Sequence, residues 1–536
     1  MRVVRVACLS TLIIAGAIGD GLAQPGPTQA ELNAASTNTT DWLMTRHGYN
    51  AQRYVDLDQI NRDNAASLRP ICIYQTAFTG PFNTNPVVYQ GVMYLTAGTS
   101  TMAVDATTCA LKWRHEWRTK ARDNNLPNNR GVALKDGKVI RGTVDAYLIA
   151  LDAETGELLW DTPAANPELG ASFTMPPTIF EDLVIIGPAG GELGVRGWIG
   201  AFSLDDGSPV WRFNLIPHAG EPGAETWSDP ESELIGGGAV WTPLGFDPEE
   251  ARVYIPVANP APDFFTDVRK GDNLYTSSLV VLDARTGELQ WYYQVVPHDE
   301  HDWDLTQASP LFTTEVNGQR RKMVATVGKD GLLHVLDRDT EEHMFVTPVT
   351  RRENASAPVT VEGVRACPGF QGGVEWSGPA YHPALNMLYT PAVDWCSTFR
   401  RAESFDEPDR FGTFRLIGGG AVGCAVAYSL AEAGRKDILV LEKEESLATQ
   451  TTSQAAGLVG QVRSTVEKVK LLMWSAETFE RLQADNPESP AWRQTGSLRV
   501  AHCDERIDEL KNLKTGADEA GQKAQLRYES YYALGH

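Results

Sequence analysis

Leu151-Asp-Ala-Glu-Thr-Gly156-Glu-Leu-Leu-Trp160 joins the end of one strand, an Asp/Gly turn and a second strand closed by a tryptophan. The unit returns as Leu204-Asp-Asp-Gly207-Ser-Pro-Val-Trp211 and as Leu282-Asp-Ala-Arg-Thr-Gly287-Glu-Leu-Gln-Trp291. Weaker copies are Val104-Asp-Ala-Thr-Thr-Cys109-Ala-Leu-Lys-Trp113 and Leu336-Asp-Arg-Asp-Thr340. The copies recur about every 50 residues, stretched once by an insertion, a period typical of repeat folds. Short β-branched strands precede them, as in Lys138-Val-Ile-Arg-Gly-Thr143 and Arg252-Val-Tyr-Ile-Pro-Val257. A fixed period of four-stranded units with one Trp each predicts a β-propeller over residues 40–400. The Trp side chains are expected to dock neighbouring blades rather than to bind a ligand.

Asp and Glu outnumber Lys and Arg by 69 to 47, a net charge of −22. That balance argues against nucleic acid or an anionic membrane as partner, because phosphate binding needs a basic face. Residues 1–23 read as a secretory signal: Arg2 and Arg5, an apolar run from Val6 to Ile18, then Gly21-Leu22-Ala23 before Gln24. The run is too short to span a bilayer, and no later stretch approaches about 20 apolar residues. The expectation is a periplasmic protein with no membrane span once the signal is removed. An oxidising compartment allows the cysteines to pair. The sequence has no Cys-x-x-Cys-His, so no c-type haem attachment is expected.

Several stretches resemble the pyrroloquinoline-quinone (PQQ) dependent alcohol dehydrogenases. They are Asn129-Arg-Gly-Val-Ala133, Gly190-Gly-Glu-Leu-Gly-Val-Arg-Gly197, Gly236-Gly-Gly-Ala-Val-Trp241, Val257-Ala-Asn-Pro260, Gly271-Asp-Asn-Leu-Tyr275, His298-Asp-Glu-His-Asp-Trp-Asp304 and Gly328-Lys-Asp-Gly331. The resemblance implies an eight-bladed propeller with its quinone on the axis. It also implies a small alcohol or aldose as substrate and a separate cytochrome c as electron acceptor. Oxidation of an alcohol by this quinone needs a base for the hydroxyl proton and a Lewis acid on the quinone carbonyl. By motif match Asp302 is the base, and Glu192 and Asn259 are oxygen ligands suited to a hard cation such as Ca²⁺. Asp304 resembles the extra carboxylate of lanthanide-using members, so both Ca²⁺ and a lanthanide stay open. Lys329 falls where the family places Arg or Lys against the quinone oxygens. Trp241 matches the flat floor beneath PQQ, Arg130 and Thr174 match polar cofactor contacts, and Gly190 and Gly191 lead into Glu192.

The sequence also departs from the family. Asn124 and Asn125 stand where many members have adjacent cysteines, Asn83 replaces an acidic cofactor contact, and Glu375 stands where many alcohol-oxidising members have Asn. Cys367 with Cys396 matches a structural disulfide of the family, and Cys72 with Cys109 is a second candidate pair. The resemblance ends after Phe405, so the last blades and the strand that closes the ring are expected to be missing.

Phe414-Arg-Leu-Ile then reads as a strand leading into Gly418, Gly420 and Gly423, a G-x-G-x-x-G followed by a small-residue helix over 421–433. Ile438-Leu-Val-Leu-Glu442 is a second strand ending in an acid about 20 residues after the glycines, the dinucleotide-binding context. The glycines would admit a pyrophosphate to the helix N-terminus, and Glu442 would hold a ribose hydroxyl. Thr451-Thr-Ser-Gln-Ala-Ala-Gly457 resembles the dimethylglycine and sarcosine dehydrogenases, which implies FAD. Gln454 stands where some members attach flavin through His, so any FAD would be non-covalent. The expected fold is therefore mainly β: a truncated eight-bladed-type propeller, a junction at 401–413, a partial Rossmann-like FAD-binding unit over 414–527 and a tail at 528–536. The charged junction reads as a break between two gene fragments. Alternatives to quinoprotein activity are an FAD-dependent amine oxidoreductase fragment and a non-catalytic propeller scaffold.

Overall fold

The computed structural model describes residues 26–121, 126–305, 307–401 and 504–519, with isolated positions at 473, 480 and 481. The signal segment, Asn124, Asn125 and the glycine fingerprint with Glu442 lie outside the described residues. So do residues 402–472, which include the junction.

Five four-stranded sheets follow one another along the chain, each an antiparallel meander in sequence order. The first blade consists of Val87–Tyr89, Val92–Ala97, Ser100–Asp105 and Leu111–Glu116. The next four occupy 133–163, 178–214, 245–294 and 311–348. A hairpin of Ala380–His382 and Met387–Tyr389 follows, as does a pair of Val364–Ala366 and Ser397–Phe399. Further blades of an eight-bladed ring are not among the described residues. Asp504–Glu519 forms a helix in the C-terminal segment. No helix among the described residues is long and apolar enough to cross a membrane.

In the third blade Ser203 takes the place of the turn Asp, its hydroxyl accepting from Asp205 N at 3.2 Å; in the other four blades the repeated turn works the same way. Its Asp carboxylate gathers the backbone N–H groups two and three residues on: Asp152 Oδ1 accepts from Glu154 N at 3.0 Å and Thr155 N at 2.8 Å, and Asp283 repeats this with Arg285 and Thr286. A register shift precedes the turn in all five blades, as between Ala150 and Leu151. The tryptophans bridge blades as expected. Trp113 Nε1 donates to Ala153 O at 3.0 Å, Trp160 Nε1 to Leu204 O at 3.2 Å and Trp211 Nε1 to Ala284 O at 3.0 Å. The turn glycine lets each ring lie flat on the next turn. At Gly156 (φ +75°) a Cβ would lie 2.6 Å from the Trp113 ring.

The weak copies show the rule by exception. Glu341 replaces the glycine at φ +62°, and Trp291 Nε1, which faces that blade, is buried without a partner. In the first turn Cys109 takes the glycine position at φ +58° and is tied to Cys72 by a disulfide. Gly156→Val should therefore cost about 1–2 kcal/mol for left-handed backbone, plus about as much again for overpacking the ring. Gly318, at φ +76° with nothing within 4 Å, supplies the control. Urea unfolding should show Gly318→Val losing only the backbone share. Equal losses at the two sites would show that the ring contact contributes nothing.

Candidate active site

A meander alternates ends, so the segment before the innermost strand and the turn between the second and third strands lie at the same end of the propeller. The propeller site residues read from the sequence fall in these two places. Arg130, Thr174, Trp241, Asp302 and Asp304 precede innermost strands of their blades, whereas Glu192, Asn259 and Lys329 lie in second-to-third connections. The blade topology therefore converges residues nearly 200 positions apart.

At the centre is the Lys329 ammonium. It lies 3.2 Å from both carboxylate oxygens of Asp302 and 2.7 Å from Asp304 Oδ2. All three side chains are buried. Asp304 Oδ1 accepts the Asn259 backbone N–H at 3.0 Å, and Lys329 N donates to Asp304 O at 3.0 Å. Asn259 Nδ2 donates to Pro260 O at 3.1 Å and to Asp263 Oδ1 at 2.9 Å. Both amide hydrogens are thereby committed, which leaves Oδ1 as the amide's ligating atom. Glu192 sits in the short 3₁₀ turn Gly191–Leu193. Gly190 enters that turn at φ +104°, and a Cβ on Gly191 would lie 2.9 Å from Gly237 Cα. Close backbone passage thus fixes this turn; the Glu192 side chain is open to solvent, while protein surrounds its carboxyl group.

Trp241 and Arg130 pack together, the guanidinium 4.6 Å from the ring centroid. Arg130 Nε is buried without a partner. Arg130 N donates to Thr174 O at 2.9 Å, and the Thr174 hydroxyl donates to Trp241 O at 3.4 Å, so Thr174 links the two. Among the described residues no three His, Cys, Asp or Glu side chains converge closely enough to hold an ion by themselves. The donor set here is mixed, two carboxylates and an amide, with the lysine ammonium drawn onto Asp304.

The electrostatics follow from crowding. Burial pushes the Asp302 carboxyl well above the usual range; Lys329 opposes this, while Asp304, Asp263 and Glu192 add to it. Glu192 is raised by burial and by Asp304. Burial pulls Lys329 down most strongly, but Asp302, Asp304 and Glu375 together outweigh it and hold its ammonium well above the ordinary value. Glu375 is pushed up to about 7, chiefly by burial. A carboxyl raised in the fold stabilises it fully below its ordinary value, near 4.5, and that contribution is lost as pH rises through about 7. Glu375→Gln should therefore match the parent at pH 5 and gain on the order of 1–2 kcal/mol at pH 8, after discounting for partial exposure. Thermal unfolding at the two pH values checks this; an equal effect at both would refute it.

Residues 42–356, more than half of the chain, match the family model described as PQQ glucose/ethanol/alcohol dehydrogenase, beta-propeller domain. The chain belongs to this PQQ dehydrogenase family. Residues 416–530 match the model of FAD dependent oxidoreductases. Quinohemoprotein alcohol dehydrogenase ADH IIB of Pseudomonas putida is 33% identical over 427 residues, which cover 73% of this chain and 60% of the relative. The dehydrogenase subunit of the quinone alcohol dehydrogenase of Gluconacetobacter polyoxogenes is 34% identical over 412 residues, covering 68% and 56%. Among solved structures, the quinohemoprotein alcohol dehydrogenase of Comamonas testosteroni superposes with TM-score 0.63 at 30% identity, covering 69% of this chain and 62% of that one. A europium-containing methanol dehydrogenase gives 0.62 at 28% identity, covering 68% and 70%. The chain thus spans 56–60% of the length of the two curated relatives.

In this PQQ dehydrogenase propeller both expected disulfides are formed, Cys72–Cys109 and Cys367–Cys396. Three buried residues beside the site were not singled out from the sequence: Asp263, Arg269 and Asp299. Asp299 staples the loop that carries Asp302, accepting from His301 N at 2.9 Å and Trp303 N at 2.7 Å; Asp302 sits there at φ +60°. Arg269 donates to Pro262 O, Asp263 O, Asp299 O and Asn273 Oδ1 within 2.6–2.9 Å.

Proposed function

We propose that the propeller, residues 40–400, oxidises a small alcohol or aldose with PQQ and a metal ion, and passes the electrons to a separate cytochrome c. In the same reading residues 1–23 direct it to the periplasm and are removed. The observation that carries this is the buried group formed by Lys329, Asp302 and Asp304 beside Asn259. Burying such charges costs several kcal/mol per ion, a cost that a pure scaffold has no reason to bear.

The donors fit a hard cation. Glu192, Asn259 Oδ1 and Asp304 would hold it, and the Asp263 oxygen without a partner marks a pocket short of positive charge. When bound, PQQ and the ion together supply the hydride acceptor and the polarised carbonyl. Asp302 receives the hydroxyl proton on a side chain held in place by Lys329 and by the stapled loop. Lys329 offers its N–H groups to the quinone oxygens and keeps Asp302 ionised. Trp241 gives a flat apolar face, with the unpartnered Arg130 Nε available to a cofactor carboxylate.

Purified chain incubated with PQQ and Ca²⁺ or La³⁺ should retain quinone and reduce a dye in the presence of alcohols. No retained quinone and no turnover would remove this reading. A second reading concerns residues 414–527, where the glycine fingerprint and the family match favour the ADP-binding part of an FAD site. A flavin absorbance spectrum on the purified chain would support it, and flavin-free protein after incubation with FAD would exclude it.

A further inference from the structure

We propose that Asp263 sets the charge preference of the axial cation site, favouring a trivalent over a divalent ion; this rests on the cation site of the reading above. Asp263 is 1% exposed. Its Oδ1 accepts from Asn259 Nδ2 at 2.9 Å, and its Oδ2 is buried with no partner. Arg269, the buried cation behind it, engages the main-chain oxygen of Asp263 at 2.9 Å and spends its other donors on the oxygens of Pro262, Asp299 and Asn273. The Asp263 carboxylate is therefore held in place through one oxygen while the other is left open, beside a site that already contains Glu192 and Asp304.

Two consequences follow. The first is positional: by taking one Nδ2 hydrogen, Asp263 fixes the Asn259 amide so that Oδ1 is the atom presented to an ion. The second is electrostatic. Glu192, Asp302 and Asp304 surround the Lys329 ammonium, and Asp263, with the Arg269 guanidinium behind it, adds one more buried carboxylate to that acidic group. Its attraction for an ion scales with the ion's charge, so it contributes half as much again for a trivalent as for a divalent ion, and Coulomb terms in a buried site are several times those in water. Asp263 thus acts as a positioning residue for Asn259 and as a charge-selectivity residue for the ion.

The test uses the full chain without quinone. Terbium(III) binding is followed by tryptophan-sensitised emission, with Ca²⁺ as competitor. Asp263→Asn, which keeps the shape and the hydrogen-bond acceptor, should lower the preference for terbium over calcium by about tenfold or more. Asp263→Glu, which keeps the charge, should hold the preference within about threefold of the parent. Thermal unfolding without ions reports on folding of each variant, and Asp263→Ser provides a smaller neutral side chain if the Asn variant misfolds. An unchanged preference in folded neutral variants overturns the proposal, as does an equal loss in the Asn and Glu variants. A parent chain that binds neither ion overturns the cation-site reading itself, an outcome distinct from selective failure at Asp263.

Discussion

Asp302→Asn is expected to lower alcohol-dependent dye reduction by about 10²–10⁴-fold, the usual worth of a positioned general base, while quinone and cation retention stay near the parent level. The separation of effects follows from the geometry. Asp302 touches Lys329 through both oxygens at 3.2 Å, but Asp304 holds the same ammonium at 2.7 Å and is the carboxylate tied to Asn259 N. Removing the Asp302 charge therefore leaves the lysine paired, the amide ligand oriented and the Asp299 staple intact. Asp304→Asn should behave oppositely, losing the ion and with it the cofactor. Burial raises the proton affinity of Asp302, and the Lys329 ammonium opposes this by favouring the ionised carboxylate that can accept the hydroxyl proton. Turnover within about tenfold of the parent in Asp302→Asn would sink the assignment as base. Loss of quinone in that variant would make the residue part of the cofactor mount instead.

The propeller was legible because its information is repeated. Each Asp turn carries its own hydrogen-bonding reason, and the Gly–Trp contact between blades writes two residues of every interface into the sequence at a fixed spacing. Glu192, Asn259, Asp302 and Lys329 were legible as a set only through resemblance; nothing local distinguishes Asp302 from a turn cap. What the sequence could not show is how the long connection between Asn259 and Ser278 folds back. Arg269 is fully buried there and is held by main-chain oxygens, which no residue pattern encodes. Asp263 reads as an ordinary residue after two prolines until that fold places its carboxylate on the Asn259 amide. Thr174 shows the same limit: no residue pattern announced that its hydroxyl donates to Trp241 O. The replacement of glycine by Glu341 was visible, but its consequence, an unpartnered Trp291 indole, lies in the neighbouring blade.

Lys329→Met should be the most destabilising single change at the site, costing about 3–5 kcal/mol near neutral pH, because it leaves buried carboxylates without their cation. Methionine keeps the aliphatic stem that Gly372 packs against, so the loss reports charge rather than a cavity. The pH dependence separates this from a packing defect. Asp302, Asp263 and Glu192 all have their carboxyls raised, by burial first, and without Lys329 they rise further. Their stabilising contribution is complete below the ordinary carboxylate value of about 4 and is lost as pH rises through the folded values above it. The penalty should therefore be small near pH 4–5 and grow towards pH 8, while the parent, with its ammonium held well above the usual lysine value, keeps that counter-charge throughout the range. Saturating Ca²⁺ or La³⁺ should recover part of the loss by binding the folded state alone. Thermal unfolding across this range, with and without ion, measures both effects. A penalty independent of pH and unmoved by either ion would show that Lys329 contributes packing only, and that the carboxylates around it are not ionised in the working protein.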